Sequence, residues 1–161
     1  MAADNFVDQD TWFAQLPGVV VSAGALITDP AGRILLVKPN YRDHWTLPGG
    51  ICEYGEPPHA GCAREVAEAI GLYLQVGALL AIDWSQPYGT RARPILHFVF
   101  DGGTVDDGTG ITLQHEELDD FRFTDPSQVA GYLAPYGVRR VAAALAGRAS
   151  GAPVYQPTWA T

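Results

Sequence analysis

Residues 49–72 read GGICEYGEPPHAGCAREVAEAIGL, and no other stretch limits the fold as strongly. A glycine pair opens it, Pro57 and Pro58 follow, and an alanine-rich run leads to Gly71. Proline is tolerated in a helix's first turn, where the N–H groups lack partners anyway. Glycine followed by an apolar residue is a common helix stop, because glycine adopts the left-handed C′ conformation without strain. The segment therefore predicts a loop, a helix over residues 57–70 and a turn. At about 100° per residue, Ala60, Ala63, Val66, Ala67 and Ile70 project to an apolar face. Gly61, Glu65, Glu68 and Ala69 project to the other side, with Arg64 at its edge. Glu65 and Glu68 stand three residues apart, so they are neighbours on the helix surface. Acids on a helix face are ordinarily just solvated. A hard divalent ion, however, accepts one or two carboxylates together with waters and phosphate oxygens.

The remaining chain reads as strands around this helix. Residues 19–28 predict a buried strand, Asp29–Pro30–Ala31–Gly32 a turn, and residues 33–38 a second strand completing a hairpin. Residues 73–84, 94–100 and 117–124 predict further strands, with DGGTVDDGTG an acidic glycine-rich loop before the last of them. Helical segments are expected at 127–133 and 136–146. Residues 1–18 read as an arm with local helix near 10–16, residues 19–147 as one domain, and residues 148–161 as an extended or disordered tail. The element order implies an α/β fold: an α/β/α sandwich with a mixed sheet between helices.

The box itself carries a resemblance. Gly50, five residues, Glu56, seven residues, then Arg64-Glu65-Val66-Ala67-Glu68-Ala69-Ile70-Gly71-Leu72 resembles the Nudix box, G-x5-E-x7-R-E-U-x-E-E-x-G-U, where U is a bulky aliphatic. WTLPGG upstream is similar to the family's usual lead-in. Every fixed position matches except Ala69, where the family has a second glutamate. The resemblance implies the Nudix fold and hydrolysis of a diphosphate linked to another moiety, assisted by Mg2+ or Mn2+. It also implies metal ligation by Glu65, Glu68 and the Gly49 carbonyl, with Ala69 at the position of a missing ligand. It implies a Glu56–Arg64 salt bridge, turns at Gly50 and Gly71, and a fold that often dimerises. Arginine suits that bridge, since a planar guanidinium holds a carboxylate by two hydrogen bonds.

Ala69 leaves three readings open. Glu65, Glu68 and an acid from elsewhere complete a working site; the chain is a silent diphosphate-binding module; or Ala69 is an inactivating Glu-to-Ala change. Projected to the edge of the acid face, Ala69 is not explained by burial. Beyond the box, Glu116 and Glu117 are candidate general bases, and Asp106 and Asp107 weaker ones. A solvated acidic loop accounts for them as well. Lys38, Arg42, Arg91 and Arg93 are candidate cations for a diphosphate, and Trp84 and Tyr88 candidate stacking partners. Trp45 reads as core, and His97 as structural.

Composition narrows the partners. A net charge of −8 argues against a nucleic-acid duplex or an anionic membrane. A small phosphorylated ligand needs only one or two local cations. Cys52 and Cys62 make neither a disulfide framework nor a zinc pattern. Residues 1–13 lack the apolar core of a signal peptide, and no apolar run reaches the ~20 residues of a membrane span. The sequence reads as a soluble cytoplasmic protein.

Overall fold

The apolar run near the N-terminus becomes the centre of the sheet. The computed structural model describes residues 7–106, 108 and 110–158. After a short helix α1 (Gln9–Ala14), strand β1 (Val20–Thr28) turns through Asp29 into β2 (Ile34–Pro39). Oδ1 of Asp29 accepts from the N–H groups of Ala31 and Arg33, which sets this turn. The two strands pair at Thr28 and Ile34 and then part. Into the gap comes the chain after β2. Thr46 bridges to Val37, and β3 (Gly49–Ile51) runs antiparallel to β1 through Ser22–Ile51 and Gly24–Gly49. This insertion opens a cleft beside the glycine pair.

Helix α2 (Pro58–Ile70) follows, capped by Gly71 at φ 71°. Strands β4 (Leu79–Ser85), β5 (Ile95–Thr104) and β6 (Leu118–Thr124) complete the interior, and α3 (Pro135–Ser150) and β7 (Val154–Thr158) end it. The main strand order is β6-β2-β1-β5-β4-β7. The β1–β5 and β4–β7 pairs are parallel, so the sheet is mixed. Strand alternation sends Leu26, Leu36, Ala81 and Val99 to one face, under Val141 and Ala144 of α3. It sends Ala23, Ala25, Ile27 and Leu35 to the other, under Cys62, Val66 and Ile70 of α2. The result is the expected α/β/α sandwich.

Four local expectations change. Residues 73–78 are not a strand. Leu74 and Val76 turn inward and Tyr73 and Gln75 outward, but before β4 begins only Gly77 and Ala78 bond to a strand, exchanging backbone hydrogen bonds with Asp101 of β5. β5 runs on through Asp101-Gly102-Gly103-Thr104, because the absence of a side chain at Gly102 lets Ile27 lie against the backbone. The buried positions of α2 are Gly61, Cys62, Val66 and Ile70, so its core face is rotated from the projected one. Of the expected tail, residues 148–150 belong to α3, which extends to Ser150, and β7 takes the open edge of β4, while residues 159–161 lie outside the described residues.

Candidate active site

One arginine organises the acids of α2. Nε and Nη2 of Arg64 donate to the two carboxylate oxygens of Glu56, each at 2.9 Å. Nη1 reaches Glu65 at 2.9 Å and Glu68 at 3.2 Å, and Nη2 also donates to the Ile51 carbonyl at 3.1 Å. Hydrogen bonds from Arg64, then from the Glu53 N–H, hold the Glu56 carboxyl down to about 2. Glu56 thus fixes the loop before α2 to the helix, and Arg64 carries Glu65 and Glu68 on its other side.

Glu65 is half-buried against the glycine pair. A Cβ added to Gly50 would lie 2.1 Å from its Oε2, so the missing side chain makes the cradle for this carboxylate. Gly49 is pressed against β1 in the same way, with an added Cβ 2.3 Å from the Ala23 carbonyl. Burial pushes the Glu65 carboxyl upward; Arg64 opposes this, while Glu68 and Glu117 repel its charge. These groups share a cleft of about 150 Å3, lined by Gly49, Glu65, Glu68, Ala69 and Glu117, with Tyr41, Thr46 and Gln114 among the other walls.

The cleft sorts the sequence candidates. Glu117 reaches it because β6 pairs with β2 and the Asn40 N–H donates to the Glu117 carbonyl at 2.9 Å. Glu116 does not line it; its carbonyl accepts from Asn40 Nδ2 at 2.8 Å. None of Lys38, Arg42, Arg91, Arg93, Trp84 and Tyr88 lines it either. Lys38 is turned to the carbonyls of Pro39 and Arg42, Arg42 lies over Tyr41, and Arg91 donates to the Gln86 carbonyl. Trp84 sits within β4 opposite Leu96, and Tyr88 stands exposed in the loop beyond. Asp106 lines a separate hollow of about 220 Å3 with no second charged group among its described walls. Asp107 lies outside the described residues.

Ala69 differs from its projected place. It is half-buried and packs against the core cluster under α2, while also lining the cleft. Its carbonyl accepts the Gln114 N–H at 2.9 Å, and the Ile70 carbonyl accepts that of Thr112 at 2.9 Å. Sequence spacing gave no signal for Tyr41 or Gln114, since each arrives on a loop closed by contacts distant in the chain. Trp45 packs on the core below α3, as read. His97 lies away from the cleft: Nδ1 meets Ser22 Oγ at 2.5 Å, and Nε2 is shut off from solvent.

A model of the NUDIX domain matches residues 18–145. The chain belongs to the Nudix family. As a Nudix protein it is 34% identical over 80 residues to a "MutT-like protein" of Streptomyces ambofaciens, covering 50% of this chain and 49% of that one. The chain spans about half the length of the curated relatives it matches. The Nudix fold is shared with a UDP-X diphosphatase structure at TM-score 0.72 and 21% identity, over 94% of this chain and 76% of that one. It is shared with the MutT protein of Methanosarcina mazei Go1 at TM-score 0.68 and 22% identity, over 84% and 96%. At these identities the structural likenesses show the fold alone.

Nudix hydrolases generally use divalent metal ions. Among the described residues, no three of Asp, Glu, His and Cys gather into a metal-binding group. The donors at the cleft still fit such an ion. Glu65 is set in the Gly50 cradle, Glu68 stands one turn on, and Gly49 brings backbone to the same wall. All are oxygen donors, the type a hard cation prefers, and two carboxylates are enough when substrate oxygens join. No helix among the described residues is long and apolar enough to cross a membrane.

Proposed function

We propose that the chain hydrolyses a phosphoanhydride bond in a nucleoside diphosphate derivative or related organic diphosphate, with Mg2+ as its ion. The observation that carries this reading is the cleft in which Glu65, Glu68, Gly49 and Glu117 face one another across α2, β3 and the start of β6. Glu65, Glu68 and the Gly49 carbonyl would hold the ion. When bound, a divalent ion offsets charge that develops on phosphoryl oxygens. Arg64 holds the two helix carboxylates in place until an ion competes for them. Glu117, exposed at the cleft's rim, takes the proton of the attacking water as its oxygen bonds to phosphorus and the anhydride oxygen leaves. Glu116 is a weaker base, since it does not line the cleft.

Ala69 removes one carboxylate from this arrangement and lowers turnover. It also supports a second reading, a diphosphate-binding module without chemistry. The two separate in an assay of phosphate or nucleotide release from a panel of diphosphates with Mg2+. The expected outcome is slow release by the parent and release at least ~10-fold faster by Ala69→Glu, as an added transition-state interaction of a few kcal/mol allows. No release by either protein, with a diphosphate still bound, would establish the silent binder.

A further inference from the structure

We propose that Gln114 takes over, in this chain, the place at the metal that Ala69 leaves open, contributing its side-chain amide oxygen as a neutral ligand. This rests on the hydrolase reading of the cleft and assigns it a donor. Three observations converge on Gln114. First, it lines the same cleft as Ala69, Glu65 and Glu68. Second, its backbone is fixed beside the vacancy: its N–H donates to the Ala69 carbonyl, and the N–H of Thr112 to that of Ile70. These are carbonyls at the end of α2, which lack partners within the helix. Ile111 and Leu113 pack into the core on either side of this contact, so the segment is anchored by apolar burial as well. Third, the Gln114 side chain is half-buried and makes no hydrogen bond among the described residues. Its amide atoms are not among the polar atoms shut off from solvent, so the amide is open to the cleft and free to meet a ligand there.

The chemistry matches the vacancy. An amide oxygen is a hard neutral donor of the type that hard divalent cations accept beside carboxylates. It adds no charge to a wall that already holds Glu65, Glu68 and Glu117. A carboxylate at position 69 would bind the ion more strongly but also add repulsion towards a diphosphate. Gln114 therefore gives a weaker metal site that remains a site.

The test is a double-mutant cycle of Mn2+ affinity, measured by the free-ion electron paramagnetic resonance signal with the full chain and Mn2+ alone. In the Ala69 parent, Gln114→Ala is expected to weaken Mn2+ binding at least ~10-fold, on the scale of lost metal-site contacts. In Ala69→Glu the same change is expected to cost less than ~3-fold, because contacting residues couple when they share a partner. Gln114→Glu, which keeps the shape of the side chain, is expected to tighten binding in the parent. Equal losses in both backgrounds would show that Gln114 only supports the loop, and would overturn the inference. Unchanged affinity in Gln114→Ala, with Glu65→Gln still weakening it, would overturn the inference and leave the hydrolase reading standing. Mn2+ binding that is absent from the parent, or insensitive to Glu65→Gln, would remove both.

Discussion

A methyl group at position 50 would meet the carboxylate of Glu65, not backbone. The far end of a flexible side chain can move, so Gly50→Ala should fold and keep its melting temperature within a few degrees. The displaced carboxylate should lower Mn2+ affinity about 10-fold or more, read by titration against the parent; unchanged affinity would remove Glu65 from the metal site. Glu56 offers a pH test of the brace behind it. Its carboxyl is held down to about 2 in the folded chain and returns to about 4.3 when unfolded. A depressed acid contributes stability above the unfolded value and loses it as pH falls through the folded one. Melts of the parent and Glu56→Gln should therefore differ above about pH 5 and converge towards pH 2. A gap that persists at pH 2 would mean the glutamine disturbs packing instead. Helix spacing made Glu65 and Glu68 legible as neighbours, while Gly50, Glu56 and Arg64 were legible only through the resemblance of residues 50–72 to the Nudix box. Tyr41 and Gln114 were silent, since only the β2–β6 pairing and the closure of the 111–118 segment deliver them.

At the scale of elements, periodicity located α2 but misplaced its buried face. Alanines marked the projected core, yet Gly61 is buried where the Cys52 thiol leans on it, and Cys62 packs into the core cluster beneath the helix. Size and contact decided this, and composition carries neither. β7 was illegible for a related reason: its five residues gain order from the edge of β4, some seventy positions earlier. Close approach also governs α3. A Cβ at Gly147 would lie 2.1 Å from the Leu80 carbonyl, where β4 passes beneath the helix. Alanine would gain about 1 kcal/mol of helix propensity, but here it must push backbone from backbone. Gly147→Ala should thus destabilise the chain by about 2 kcal/mol or more. Gly131→Ala, with nothing within 4 Å of its added Cβ, should change stability by less than about 0.5 kcal/mol. Urea midpoints of the two variants would decide it; similar midpoints would mean that α3 can slide on β4.

The whole molecule is held by two arginines of α3 as well as by its cores. Arg148 donates to Asp101 on β5 and to Thr28 and the Leu26 carbonyl on β1. Arg140 donates twice to Asp83 on β4, at 2.7 and 3.0 Å, with the Asp83 side chain 1% exposed. An acidic chain thereby uses scarce cations to tie a helix to three strands. Neither tie could be read from sequence, because 57 residues separate Arg140 from Asp83 and nothing local pairs them. Removing one member of a buried pair leaves the other charge short of compensation. Asp83→Ala should therefore cost about 3–5 kcal/mol. Arg33→Ala, which breaks a pair whose arginine is half exposed, should cost less than about 1 kcal/mol, because Asp29 keeps the N–H groups of Ala31 and residue 33. Strand β2, which lines the cleft through Val37 and Pro39, packs into one apolar core with β4 and α3, so the three are expected to unfold as one cooperative unit. If so, Asp83→Ala should lower the denaturant midpoint without changing the slope of the transition. A shallower transition in Asp83→Ala would instead show that α3 and β7 can come away while the cleft persists, and Mn2+ binding would then survive past the first loss of helix signal.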